Sequence, residues 1–149
     1  MREWVLELPW ATPPVKPNGG YGNRYAHATK VADTRKVAGL LAKAAGIPFL
    51  GRCEVLLTWH VGDQIKRDVD NLAWTLKPLC DGLAHAPSKR KPFDYQLVPD
   101  DTPEHMVKPM PTIVFVKGQR KRMTLTIREL PVSLPSGPVP EQSGATLGK

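Results

Sequence analysis

Apolar residues recur along this chain with two periods, and the switches between them outline its elements. From Glu3 to Leu8 they alternate, with Trp4, Leu6 and Leu8 on one side and Glu3, Val5 and Glu7 on the other, which predicts a short strand ended by Pro9. From Lys30 to Ala45 the period lengthens. Val31, Thr34, Ala38, Leu41 and Ala45 follow a helical repeat while Lys30, Asp33, Lys36 and Lys43 fall mostly elsewhere, and Gly46 and Pro48 supply a stop. Alternation returns from Cys53 to Val61, the clearest strand. Leu72, Leu76, Leu79, Cys80 and Leu83 then take helical spacing behind Asp70, a good N-cap residue. Pro78 cannot donate to the carbonyl of Trp74, so a kink or break is expected there. Thr112–Val116 and Met123–Ile127 read as two short strands joined by a hairpin loop, Lys117–Arg122. The order is β-α-β-α-β-β. It predicts an α/β chain of the α+β type, a small mixed sheet of about four strands with two main helices packed on it.

A chain of 149 residues fits one domain, and residues 1–130 carry all of these elements. From Pro131 to Lys149 the composition turns to Pro, Gly and Ser, which predicts a disordered tail. Hydrophobic residues at 41% and charged residues at 23% are ordinary, but a net charge of +7 is not. It points to an anionic partner, nucleic acid first. Cys53 and Cys80 have neither metal nor redox spacing and form no disulfide framework, so a reduced cytoplasm is the expected setting. No signal-like start and no run of eighteen apolar residues is present, so neither export nor membrane spanning is expected.

The candidate chemistry lies in Lys66–Leu83. Asp68 and Asp70 are two residues apart, so an extended backbone projects both carboxylates to one side. On the following helix Asp70, Trp74, Lys77 and Asp81 line the face opposite the leucines. Two carboxylates about 4 Å apart repel by about 4 kcal/mol at an effective dielectric of about 20, and a helix N-terminus offsets only about 0.3 to 1 kcal/mol of that. A divalent cation offsets the rest, and oxygen ligands without thiolates suit magnesium or manganese. The plainer alternative is a solvated Asp68 and an Asp70 that merely caps the helix. Lys77 and Asp81, four apart, pair for only about 0.2 to 0.5 kcal/mol, which leaves Lys77 available to another anion. Trp74 either packs locally or stacks on a base. His60, eight residues before Asp68, is either a packed strand residue or a group that reaches the acids.

Further candidates lie in loops. Gly22-Asn23-Arg24-Tyr25 gathers an amide, a guanidinium and a phenol suited to phosphate, or is a polar connector. Arg35, Lys36 and Lys43 read as a solvated helix face, with contact to a nucleic-acid backbone as the alternative. His85–Pro99 carries Lys89-Arg90-Lys91 ahead of Phe93 and Tyr95, a basic cluster with aromatics that either tracks a nucleic-acid backbone or faces solvent. Asp100 and Asp101 add two acids after it. Lys117, Arg120, Lys121 and Arg122 put four positive charges on the last loop.

With these pieces assembled the chain resembles the RusA family of Holliday-junction resolvases, carried by bacteria and their viruses. The resemblance covers about Trp4 to Glu129 and rests on Leu8-Pro9-Trp10, Asn23-Arg24-Tyr25, the run Arg67-Asp68-Val69-Asp70-Asn71-Leu72, and Asp100-Asp101 after a further loop. It implies a small α/β homodimer that uses magnesium, with manganese as a substitute, to cut symmetric strands of a four-way DNA junction. Asp68, Asp70 and Asp101 match the family's catalytic, metal-holding aspartates, and Lys77 resembles its catalytic lysine. In this scheme Asp81 orients Lys77 and Asp100 acts behind the ligands. Asn23, Arg24, Tyr25, Arg67, Lys89, Arg90, Lys91, Lys117, Arg120, Lys121 and Arg122 position the DNA backbone. Two departures stand out: the step from Asp70 to Lys77 is about one helical turn longer than the family pattern, and the segment from His85 to Pro99 is enlarged. Two rivals remain. One is a nuclease of the same fold for other branched or flapped DNA in phage genome processing. The other is a non-catalytic DNA-binding module, which predicts that Asp68, Asp70 and Asp101 stand apart.

Overall fold

The computed structural model describes residues 1–17 and 24–132. In chain order the elements are β1 (Glu3–Glu7), α1 (Arg24–Ala44), β2 (Cys53–Val61), a 3₁₀ turn (Val69–Leu72), α2 (Ala73–Asp81), β3 (Met106–Val107), β4 (Thr112–Phe115) and β5 (Arg122–Glu129). They form one mixed five-stranded sheet with two helices, an α+β arrangement as the pattern predicts. The expected tail falls largely on residues 133–149, which lie outside the described residues, as does Asn23.

The alternating strand Cys53–Val61 has the predicted bounds and is the spine of the sheet. Its β-branched and aromatic residues suit a pleated surface covered on one side, and Cys53, Val55, Leu57 and Val61 are buried. β5 pairs with it antiparallel on one flank and β1 pairs antiparallel with β5, so the order runs β1-β5-β2. On the other flank β3 and β4 both pair with β2 in parallel, β3 at Cys53–Glu54 and β4 at Thr58–Val61. The two-residue strand β3 has too little pattern to be visible in the sequence.

The last two strands do not form the expected hairpin. β4 and β5 lie on opposite sides of β2, and the chain between them crosses the end of that strand. Local hydrogen bonds fix the crossing: Val116 N donates to Val61 O at 3.0 Å, Gly118 N to Gly62 O at 3.0 Å, and the Gln119 side-chain amide to Val61 O at 2.9 Å.

Helix α1 begins six residues earlier than its apolar repeat suggests, because Tyr25, Ala26, His27 and Ala28 are all compatible with a helix. Arg24 and Tyr25, read as loop residues, are therefore exposed in its first turn. Gly46 at φ 66° ends the helix region as expected. The buried stripe is Thr34, Ala38, Gly39 and Ala42, rotated from the predicted one. Small residues there admit close approach: a Cβ at Gly39 would collide with the backbone carbonyl of Phe93. Leu6, Leu8, Ala38, Ala42, Val55, Leu57, Leu76, Leu79, Leu125 and Ile127 share one core between sheet and helices.

α2 runs through Pro78 without a break. The carbonyl that proline leaves without a donor belongs to Trp74, in the first turn, where the side chain is half exposed. Among the described residues no helix is long and apolar enough to cross a membrane. Both cysteines are free and buried, and burial pushes each thiol up to about 12.

Candidate acid and lysine site

Asp68, rather than Asp70, is the helix-capping residue. Its Oδ1 accepts from the backbone N of Asp70 at 3.0 Å, and the chain turns at once into the 3₁₀ segment. The backbone is extended at Asp68 and already helical at Asp70, so the two acids do not lie on one strand. Both acids are exposed.

Farther along, α2 presents Lys77 and Asp81 on its outer side. The Lys77 amine lies 3.2 Å from Asp81 Oδ1 and 3.9 Å from Asp101 Oδ2. Asp101 arrives from the long segment between α2 and β3, where Asp100 Oδ1 accepts from Asp101 N at 2.8 Å and so fixes the turn. Lys108, just after β3, places its amine 3.8 Å from Asp101 Oδ2. His85 Nδ1 is 2.8 Å from the Asp81 carbonyl, which holds the ring one turn beyond it. Burial works to raise the Asp101 carboxyl. The proximity of Asp81 and the charges of Lys108, Lys77 and His85 outweigh it and hold Asp101 below its ordinary value.

The structure therefore brings together Lys77, Asp81 and Asp101 and adds Lys108 and His85, which sequence reasoning missed. His85 was detectable in principle, four residues beyond Asp81 on the same helical line, whereas Lys108 carries no local signal. Asp68, Asp70 and Asp101 are not gathered: among the described residues no group of three or more His, Cys, Asp or Glu is arranged to hold a metal ion. What is assembled is a pair, Asp81 and Asp101. Magnesium is commonly held by one or two carboxylates with water and substrate phosphates completing its shell, so this all-oxygen pair fits that ion. Asp68 and Asp70 stand outside it. His60 also stands apart, with Nε2 3.0 Å from Thr124 Oγ1 on β5, and burial ahead of the Arg122 charge lowers its pKa.

The basic candidates divide into committed and uncommitted groups. Arg67 is largely covered, bonded to Asp63 at 2.6 Å and stacked 5.0 Å over Trp59, so its guanidinium organises the turn before the acids. Arg122 pairs with Glu7 at 3.0 Å. Lys89, Arg90, Lys91, Lys117 and Arg120 are exposed, and Lys121 is partly so. The segment bearing Lys89, Arg90 and Lys91 is anchored by Asp94, buried and bidentate to Arg35 at 2.6 and 2.9 Å. Arg35 therefore does not belong to a solvated face. Lys36 sits 4.4 Å over the Phe93 ring.

Beside Lys77 and Asp81 opens a cavity of about 420 Å³, walled by Val15, His27, Val31, Ala73, Trp74 and Pro78. Val15 is held there by Thr75, whose buried Oγ1 donates to Val15 O at 3.1 Å and accepts from Val15 N at 3.4 Å. No protein-family model matches this sequence, and no curated protein matches it either.

Proposed function

We propose that this chain is a magnesium-dependent endonuclease, with manganese as a substitute, that resolves four-way DNA junctions as a homodimer in the cytoplasm of a bacterium or of a phage-infected cell. The observation that carries the reading is the meeting of Asp101 with Asp81 and Lys77 across about twenty residues of intervening chain, in a protein of net charge +7. That Asp68, Asp70 and Asp101 are not gathered is what a non-catalytic DNA-binding module predicts; against that module, a chain that only bound DNA would gain nothing from two carboxylates on a lysine-bearing surface. The motif resemblance supports the same class.

Asp81 and Asp101 are the residues suited to hold the ion, with Asp68 and Asp70 at the other end of the helical segment. When bound, the ion supplies Lewis acidity toward phosphate and water. Lys77 has a side chain 69% exposed, so its amine can turn from Asp81 to a phosphate oxygen and stabilise charge that develops there. Lys108 keeps Asp101 ionised. Asp100 positions the Asp101 backbone. Arg24, Tyr25 and the exposed lysines and arginines of the two basic loops contact the DNA backbone, which fixes orientation without reading sequence. Two identical sites related by a twofold axis match the paired cuts that a junction requires.

The test is cleavage of a synthetic four-way junction in magnesium, run beside a flap and a linear duplex. Asp101→Asn is expected to lower the rate by about a hundredfold or more while junction binding persists. Wild-type cutting by Asp101→Asn overturns the assignment of the site. Faster cutting of the flap than of the junction moves the substrate to other branched DNA.

A further inference from the structure

We infer that the apolar cavity between α1 and α2 receives one unstacked nucleobase next to the phosphate held at Lys77. The inference rests on the nuclease reading and names the part of the substrate that this site recognises. Lys77 and Asp81 belong both to the acid and lysine cluster and to the cavity wall, so whatever fills the cavity is joined to what binds the cluster. The remaining wall is nearly all carbon: Val15, Val31, Ala73, Trp74 and Pro78, with His27.

Duplex DNA offers no such group beside its phosphates, since its bases are paired and stacked. A branch point does, because stacking is interrupted there and a base with fewer stacked or paired neighbours leaves the helix at lower cost. The volume of about 420 Å³ lies in the range of small-ligand pockets. Trp74 lines the cavity and is 47% exposed, which leaves ring surface for a base to stack upon. Charge suits a nucleotide as well. Lys77 stands at the α2 side. On α1, Arg24 precedes His27 and Val31 by three and seven residues, the same helical stripe, which puts a second cation one turn beyond the cavity wall.

The experiment measures affinity of the full-length protein, without magnesium, for a four-way junction, for the same junction with abasic sites at the branch point, and for a linear duplex. Trp74→Ala is expected to weaken junction binding about tenfold, the size of one base–aromatic stack, and to leave duplex binding unchanged. Trp74→Phe restores most of the loss. Abasic branch points weaken the wild type by a similar factor, and Trp74→Ala adds no further loss on that substrate. Equal loss on junction and duplex, or losses from the abasic sites and from Trp74→Ala that multiply independently, overturn the inference. If the wild type cuts junctions but Trp74→Ala binds them normally, the cavity assignment alone falls. If the wild type neither binds nor cuts branched DNA, the nuclease reading falls with it.

Discussion

One carboxylate oxygen of Asp68 decides the shape of the acidic run. By accepting from the amide two residues on, it forms the local turn that aspartate favours and starts a helix where an extended strand was equally compatible with the residues. Asparagine caps as well as aspartate does, and this separates two roles of the residue. Asp68→Asn is expected to melt as the wild type does, and Asp68→Ala to lose about 1 kcal/mol by thermal unfolding. If Asp68→Asn nevertheless loses junction cleavage at full stability, this carboxylate joins Asp81 and Asp101 as a proposed ligand of the ion. At this scale the sequence paired Lys77 with Asp81, as the structure does, but grouped Asp101 with Asp68 and Asp70, whereas Asp101 lies 3.9 Å from Lys77. The reason is physical: an Asp-x-Asp pair leaves its backbone conformation undetermined, and only the long-range return of Asp101 selects its partner.

Among the elements, the contact between Thr75 and Val15 is the one on which the site's wall depends. A single buried hydroxyl satisfies both backbone groups of Val15, so Thr75→Val leaves an N–H and a carbonyl without that partner. The expected cost is about 1–3 kcal/mol, read from the midpoint of urea unfolding, with junction cleavage falling as the wall loosens. A midpoint that does not move shows that water replaces the hydroxyl there. None of this was legible beforehand, because a threonine on the buried face of an amphipathic pattern looks like a small core residue. Strand β2 was legible to the residue, since nine alternating positions specify both its length and its faces. The fate of β4 and β5 was not. Two short strands with a polar link satisfy a hairpin and a crossing equally well, and the choice rests on which flank of β2 each one fills.

For the whole molecule, charge is the property that sequence conveys most directly. A chain with 21 basic and 14 acidic residues is expected to bind branched DNA with an affinity that falls steeply with salt, log K declining in proportion to the phosphates neutralised. Filter binding between about 50 and 200 mM salt measures the slope. A flat response excludes backbone contact by the exposed lysines and arginines. Sedimentation of the free protein is expected to give twice the 16.5 kDa chain mass, and a single-chain mass removes the paired-cut scheme.

The crossing over the end of β2 also bears on how the sheet comes into being. β4 and β5 have no hydrogen bonds to each other and reach order only through a strand laid down much earlier, as the 54-residue separation of Thr58 and Thr112 illustrates. They cannot zip up locally as a hairpin does. Closure of a large loop must precede any gain from their pairing, which makes the C-terminal half of the sheet slow to assemble. During synthesis β2 has to wait, with both flanks open, for the last strands to emerge.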